Sequence, residues 1–252
     1  MIKHILLHSL ILLFFNFNSS AQLRLNEASS RNATLYSEGN QDYDDFIEVL
    51  NTSASPVNLN NYYLTDNRTL PQKWQFFSQV LASQQIATVI ADGVSSFAWY
   101  NNYQHCNFKL DVDGETVYLV NAASQFIDSM VIPKLEINQS VGRAINQVSG
   151  QVYFHQMTPN AANTTSSYAI KANTPVVLPI GAFYTNSVTV NCSCPVGQTI
   201  HYSLNGQTPD SNSLTTTGPI TLTQTTALKV RCMSPGFLPG NCKTETYFIN
   251  ES

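Results

Sequence analysis

The sequence predicts an all-β protein: two β-sandwiches in tandem behind a cleavable leader. Three observations predict it. Short runs of β-branched and aromatic residues recur at close intervals, each ending at Asn, Asp, Gly or Pro, the pattern of a sandwich or barrel. Charged residues make up only 11% of the 252, against about 25% in ordinary soluble domains. Asn, Gln, Ser and Thr stand in their place, and β-surfaces accept these side chains more readily than helix surfaces do. Beyond the amino-terminal segment no 3.6-residue apolar period is sustained.

The leader comes first. Lys3 precedes an apolar run over residues 5–15, and polar Asn16, Asn18, Ser19 and Ser20 lead to Ala21. This is the charged start, apolar middle and small-residue cleavage site of a secretory signal peptide. A bilayer span takes about 20 apolar residues, so the run is too short to be a retained anchor. The expectation is cleavage after Ala21, a mature chain beginning at Gln22, no stable membrane span, and a secreted, periplasmic or cell-surface location. With no Cys beside the cleavage site, a lipid-modified terminus is not expected.

The first domain is expected over residues 22–165, with strands at 23–27, 46–51, 57–64, 85–91, 115–120 and 126–131. Asp113-Gly114 is a two-residue hairpin signal between 108–112 and 115–120. Residues 166–174, which begin within the Asn-Thr-Thr-Ser-Ser run of 163–167, hold little to bury and read as a linker. The second domain, 175–252, has strand signals at 176–178, 188–191, 199–204, 220–222, 227–232 and 246–249. Asn205-Gly206 is its clearest hairpin signal, because a type I′ turn needs positive φ at both central residues. Residues 22–165 carry 13 Asp and Glu against 7 Lys and Arg, and residues 166–252 carry 3 against 4. Neither half offers the basic surface that a phosphate backbone requires, so nucleic acid is not an expected partner.

Two resemblances emerge from these residues. Leu25-Asn26-Glu27, the run Asp45 to Asn51, Tyr62-Tyr63-Leu64-Thr65-Asp66, Lys73-Trp74-Gln75-Phe76, Gly114-Glu115-Thr116-Val117-Tyr118-Leu119, Ile127-Asp128, Gly142-Arg143 and the run Thr158 to Asn163 resemble, in order, the lamin tail domain of exported bacterial proteins, an immunoglobulin-like sandwich. Phe46 stands where Trp is usual and Asn160 where Gly is. Gly181-Ala182-Phe183-Tyr184, the run Ile200 to Pro209, Thr217-Gly218-Pro219-Ile220 and Thr226-Ala227-Leu228-Lys229-Val230 are similar to the small sandwich at the carboxyl end of chitobiase and related glycosidases. These resemblances imply two immunoglobulin-like accessory modules. In bacterial proteins such a pair often precedes a CotH-type kinase-like domain, and the sequence stops about where that domain would begin.

Candidate site residues are few. Asp42, Asp44, Asp45 and Glu48 form the densest acidic cluster, and calcium is the cation such oxygen ligands would take. Their spacing fits no defined metal loop, so the plainer expectation is that they cap the loop and solvate an edge, with Glu48 paired inside the lamin-tail motif and no cofactor. Asp111, Asp113 and Glu115 resemble a calcium-loop fragment but read more simply as a polar hairpin. Trp99, Tyr100 and Tyr103 lie in a stretch with no clear place in a strand, and exposed rings there would stack on sugars or on a partner; the alternative is a plug at one end of the sandwich. Cys192, Cys194, Cys232 and Cys242 crowd the second domain, and export favours two disulfides over zinc, whose usual spacings they do not match. Cys106 is left alone. His105, His155 and His201 are scattered, and neither Gly-x-Ser-x-Gly nor His-Glu-x-x-His occurs. The expectation is a non-catalytic attachment protein engaging glycans, envelope components or a protein partner; the alternative is the amino-terminal accessory region of a CotH-like kinase-domain protein.

Overall fold

The computed structural model describes residues 22–33, 43–94, 99–100, 103–145, 147 and 150–251. The leader expected at residues 1–21 lies outside them. Among the described residues no helix is long and apolar enough to cross a membrane.

Among the described residues, fourteen strands make the first sandwich: β1 (Leu23–Ser29), β2 (Phe46–Asn51), β3 (Val57–Asn58), β4 (Tyr62–Thr65), β5 (Trp74–Gln75), β6 (Val80–Leu81), β7 (Ile86–Ile90), β8 (Trp99–Tyr100), β9 (Tyr103–His105), β10 (Gly114–Asn121), β11 (Phe126–Pro133), β12 (Ser140–Gly142), β13 (Val152–Phe154) and β14 (Ser167–Tyr168). The larger sheet runs β14-β13-β12-β1-β2-β7-β9-β8, the smaller β11-β10-β4-β5, and β3 pairs with β6. Between the two sheets lie Leu23, Leu25, Ile47, Val49 and Val89 from one side and Leu64, Trp74, Val117, Leu119 and Ile132 from the other.

Strand β2 shows how sequence becomes layering. Alternation sends Ile47 and Val49 into this core and Phe46, Glu48 and Leu50 to the opposite face. All six of its residues are nevertheless buried. The opposite face is covered too: Phe46 packs with Ile90, Met157 and the half-buried Tyr103 in a separate apolar cluster. Phe46, standing where Trp is usual, thus serves this outer layer and not the main core.

Eight strands make the second sandwich: β15 (Val176–Leu178), β16 (Phe183–Tyr184), β17 (Val188–Ser193), β18 (Thr199–Ser203), β19 (Leu214–Thr216), β20 (Ile220–Leu222), β21 (Thr226–Met233) and β22 (Lys243–Ile249). Sheets β15-β17-β20 and β16-β22-β21-β18-β19 enclose Val177, Val188, Val190, Ile220, Leu222, Leu228, Val230, Tyr247 and Ile249.

Several local expectations are corrected. The strand expected at 57–64 is broken by a 3-10 turn over Leu59–Asn61, because the Asn58 side chain caps it by accepting from Asn60 N at 3.1 Å. Asp113-Gly114 does turn, with Gly114 N donating to Asp111 O at 3.0 Å and Gly114 at φ 111°. No hairpin results: Phe108 and Leu110 are buried in the core instead of forming a partner strand, and β10 pairs with β11 and β4. At Asn205-Gly206 only the glycine has positive φ. Asn205 instead folds a local turn through Oδ1, accepting from Gln207 N at 3.1 Å, and β18 meets β19 only at Leu214.

Nor is the stretch 166–174 a free linker. Ser167–Tyr168 adds an edge strand to the first sheet, and Ile170 and Ala172 exchange backbone hydrogen bonds with Leu238 of the second sandwich. Lys171 Nζ donates to Lys134 O at 2.8 Å and to Asn241 Oδ1 at 2.7 Å. Glu136 then joins the two sandwiches directly, accepting from Cys242 N at 2.7 Å and pairing with Arg231 at 3.2 Å.

Candidate functional site

Glu27 on β1 and Glu48 on β2 both turn away from the core, and both are fully buried. The chain after β13 covers them, crossing β1, β2, β7 and β9 on their outer face. Glu48 Oε2 accepts from Asn26 Nδ2 at 2.9 Å, and Oε1 accepts from Asn160 N at 2.5 Å. Glu27 accepts from the Ser140 hydroxyl, from Thr158 N at 3.1 Å and from Thr158 Oγ1 at 2.8 Å. Asn163 Nδ2 closes the cover by donating to Asn26 O at 3.0 Å and Arg143 O at 2.7 Å.

Burial pushes both carboxyls above their usual range, Glu48 to about 8, with Glu27 nearby adding repulsion. The geometry agrees with a proton on Glu48. Thr88 Oγ1 has one hydrogen and lies 3.1 Å from Glu48 Oε1 and 2.5 Å from Asn160 Oδ1. Thr88 can donate that hydrogen to only one of these two acceptors at full strength, and a proton on Glu48 would satisfy the other contact.

The cover needs two special backbone positions. A Cβ on Gly142 would lie 2.5 Å from Asn26 O and 3.0 Å from Asn163 Nδ2, so only glycine lets the amide reach β1. Asn160, standing where Gly is usual, has φ 60°, a left-handed conformation that Asn tolerates better than most residues. Its Nδ2 also donates to Tyr103 Oη at 3.1 Å.

Beside the cover lies an open cleft of ≈ 550 Å³, floored by Arg24, Asn26, Leu50 and Asn163 and walled by Ile86, Ile145 and the 160–162 loop. Arg143 at its base is fully engaged, donating to Leu25 O, to Ser129 O at 3.3 Å and to Asp128 Oδ1 at 2.7 Å. Arg24 is different. One of its terminal nitrogens donates to Gln147 O, but its Nε is buried without an acceptor. Burial and the neighbouring Arg143 both lower its pKa, and Asp128 only partly offsets them.

The expected site residues fall elsewhere. Asp42 lies outside the described residues. Burial and Asp44 push Asp45 up to about 7, which suits a cation poorly. Among the described residues no three His, Cys, Asp or Glu are grouped to hold a metal. Asp113 pairs with Lys134 at 2.5 Å and Asp111 Oδ1 accepts from Asp113 N at 2.8 Å, a self-contained polar turn. Trp99 and Tyr100, expected outside any strand, form β8, paired with β9 at the edge of the large sheet; their side chains lie outside what is described. Tyr103 packs on the outer apolar cluster.

Of the two expected disulfides one is present, Cys194–Cys232; Cys192 and Cys242 are free and half-buried, and Cys106 is buried. Strand parity explains this. Cys192 packs on the core with Val188 and Val190. Lys243 sits opposite core-facing Val230, so alternation turns Cys242 to the other face.

Comparison with protein families matches residues 21–134 to the Lamin Tail Domain and residues 179–244 to the chitobiase/beta-hexosaminidase C-terminal domain. No curated protein matches the chain. The two sandwiches are thus immunoglobulin-like domains of these two types in tandem. Strands β12 to β14 and the cover lie beyond the first matched segment yet complete its larger sheet.

Proposed function

We propose that this lamin-tail-type and chitobiase-C-terminal-type pair is an exported, non-catalytic attachment protein that engages a glycan, an envelope component or a partner protein. One observation carries the reading. Glu27 and Glu48, the raised carboxyls beside the cleft and the ones acid–base chemistry there would need, are sealed beneath the 158–163 cover and hydrogen-bonded to it, while the cleft itself stays open. The bridge between Cys194 and Cys232 suits an oxidising compartment, and cleavage after Ala21 would deliver the chain there.

The test is a binding screen of residues 22–252 against polysaccharides, envelope fractions and proteins of the source cell, with amino-terminal sequencing of the exported product. Saturable retention by one class, and a first residue of Gln22, are expected. Failure to bind any of them, or glycoside hydrolysis abolished by Glu48→Gln, overturns the proposal.

A further inference from the structure

We infer that a second cleft, at the β5 edge of the smaller sheet, binds a neutral glycan built of pyranoses with equatorial hydroxyls, one sugar ring stacking on Phe77. The inference rests on the attachment role proposed above and names its ligand and seat. The cleft has a volume of ≈ 450 Å³, and Phe77, Gln75, Asn60, Ser78 and Asn107 line it. Phe77 is 41% exposed, and its position is built. Its N–H donates to Gln104 Oε1 at 2.8 Å, and Gln104, itself buried, is held in turn by donating from Nε2 to Gln79 Oε1 at 2.8 Å. Trp74 meets the Phe77 ring edge-on, with centroids 6.3 Å apart. A ring fixed before the ligand arrives loses little freedom on binding.

The polar lining selects the ligand. Gln75 Nε2 donates to Asn60 O at 2.6 Å, and Asn107 Nδ2 donates to Lys73 O at 3.0 Å. Both amides are thereby oriented, and among the described residues nothing donates to Gln75 Oε1 or Asn107 Oδ1. The Asn60 side-chain amide and the Ser78 hydroxyl are likewise unpaired among the described residues, so the hydroxyls of a ligand can reach several partners at once. The two cationic side chains at the cleft are already engaged: both Asp66 oxygens hold Lys73 Nζ at 2.7 Å, and Asp92 holds His105 Nδ1 at 2.8 Å. A nucleotide or a uronate would therefore meet no unpaired cation among the lining residues, and a cationic ligand would meet no carboxylate. A proline-rich peptide is read by a row of exposed rings, whereas Trp74 and Phe76 are buried and leave Phe77 as the exposed one. An equatorially substituted pyranose fits both features, with an apolar C–H face for one ring and a rim of hydroxyls for the amides.

The experiment titrates the mature protein with cellohexaose, xylohexaose and chitohexaose, and with a hexagalacturonate and a proline-rich decapeptide as rivals, by calorimetry and by the fluorescence of Trp74 beside Phe77. Saturable binding of at least one neutral hexasaccharide at millimolar concentration or below is expected, changing less than about twofold between roughly 50 and 500 mM salt because no charge is recognised. Phe77→Ala should weaken it at least tenfold, and Phe77→Tyr should keep it within threefold. Phe77 is at the surface, so its variants keep the fold, which circular dichroism checks. Asn107→Ala, also at the surface, should weaken binding at least threefold, and Phe183→Ala, which removes a 66% exposed ring from the second sandwich, should leave it unchanged. Binding of none of the three neutral sugars, tighter binding of the hexagalacturonate or the peptide, or binding undiminished by both Phe77→Ala and Asn107→Ala overturns the inference. If the attachment screen succeeds equally well with Phe77→Ala, the attachment role stands and only this assignment of the cleft falls.

Discussion

Replacing Glu48 by glutamine separates burial from charge at the covered carboxyls. In the wild type the folded chain holds the Glu48 proton to about pH 8, while the unfolded chain releases it near 4.5. Folding therefore takes up a proton between these values: the carboxyl's stabilising share is complete below pH 4.5, falls as pH rises toward 8, and is flat above it. At ~1.4 kcal/mol per pH unit the loss across the window amounts to about 5 kcal/mol at most. Glutamine carries no such proton, but its NH2 must face a donor, either Asn26 Nδ2 or Asn160 N, at about 1–3 kcal/mol. At pH 5 the variant is thus less stable than the wild type by about that amount, and by pH 8.5 the order is reversed. Urea unfolding followed by tryptophan fluorescence from pH 4 to 9 measures both curves. Two curves that run parallel within about 0.5 kcal/mol would show that Glu48 does not hold its proton, and would refute the reasoning.

Four further outcomes follow from the structure. Gly142→Ala, which sets a methyl 2.5 Å from the Asn26 carbonyl oxygen, should destabilise the first domain by roughly 2 kcal/mol or more, read in the same urea series. Asn160→Gly keeps the left-handed backbone and loses only side-chain bonds, about 1–2 kcal/mol, whereas Asn160→Ala adds backbone strain and should lose about 1–2 kcal/mol more; equal losses would place the cost elsewhere. With Cys194 and Cys232 bridged across 38 residues, their double serine variant should lose about 3–4 kcal/mol. Maleimide labelling of the non-reduced, denatured chain should add three groups, at Cys106, Cys192 and Cys242; a single addition would reveal a second bridge.

Most strands were legible because alternation and β-branched content are local properties: Phe46–Asn51, Val176–Leu178 and Ile220–Leu222 have the bounds expected. Turn chemistry misled where tertiary burial outweighed it. Phe108 and Leu110 plug the core rather than pair beside Asp113-Gly114, and Asn205 satisfies its side chain locally instead of adopting positive φ. The aromatic stretch at Trp99 looked unassigned because its partner strand is only Tyr103–His105, too short to signal itself. The site was less legible than the fold. Glu48 is legible as a residue paired inside the lamin-tail motif, but its partner and the cover are not, because nothing within twenty residues announces them; Asn160 is 112 positions away. A trace was present all the same. Asn26, Thr88 and Ser140 repeat small polar side chains at outward positions of successive strands, where a solvent-facing sheet has no need of them and a second, hydrogen-bonded layer does.

That second layer ties the stability of the sandwich to the shape of the cleft. The 158–163 cover uses Thr158 and Asn163 to seal Glu27 and Asn26, while its 160–162 turn forms one wall of the cleft. Gly142 admits the Asn163 amide, and the next residue, Arg143, anchors the cleft base through Asp128. Substitutions that loosen the cover should therefore open the wall before they unfold the core, since Ile47, Val49 and Leu119 lie on the other side of the sheet. Hydrogen exchange at the Thr158 and Asn160 amides, which donate to Glu27 and Glu48, should accordingly quicken at lower denaturant than tryptophan fluorescence changes, and in Gly142→Ala the two midpoints should draw further apart.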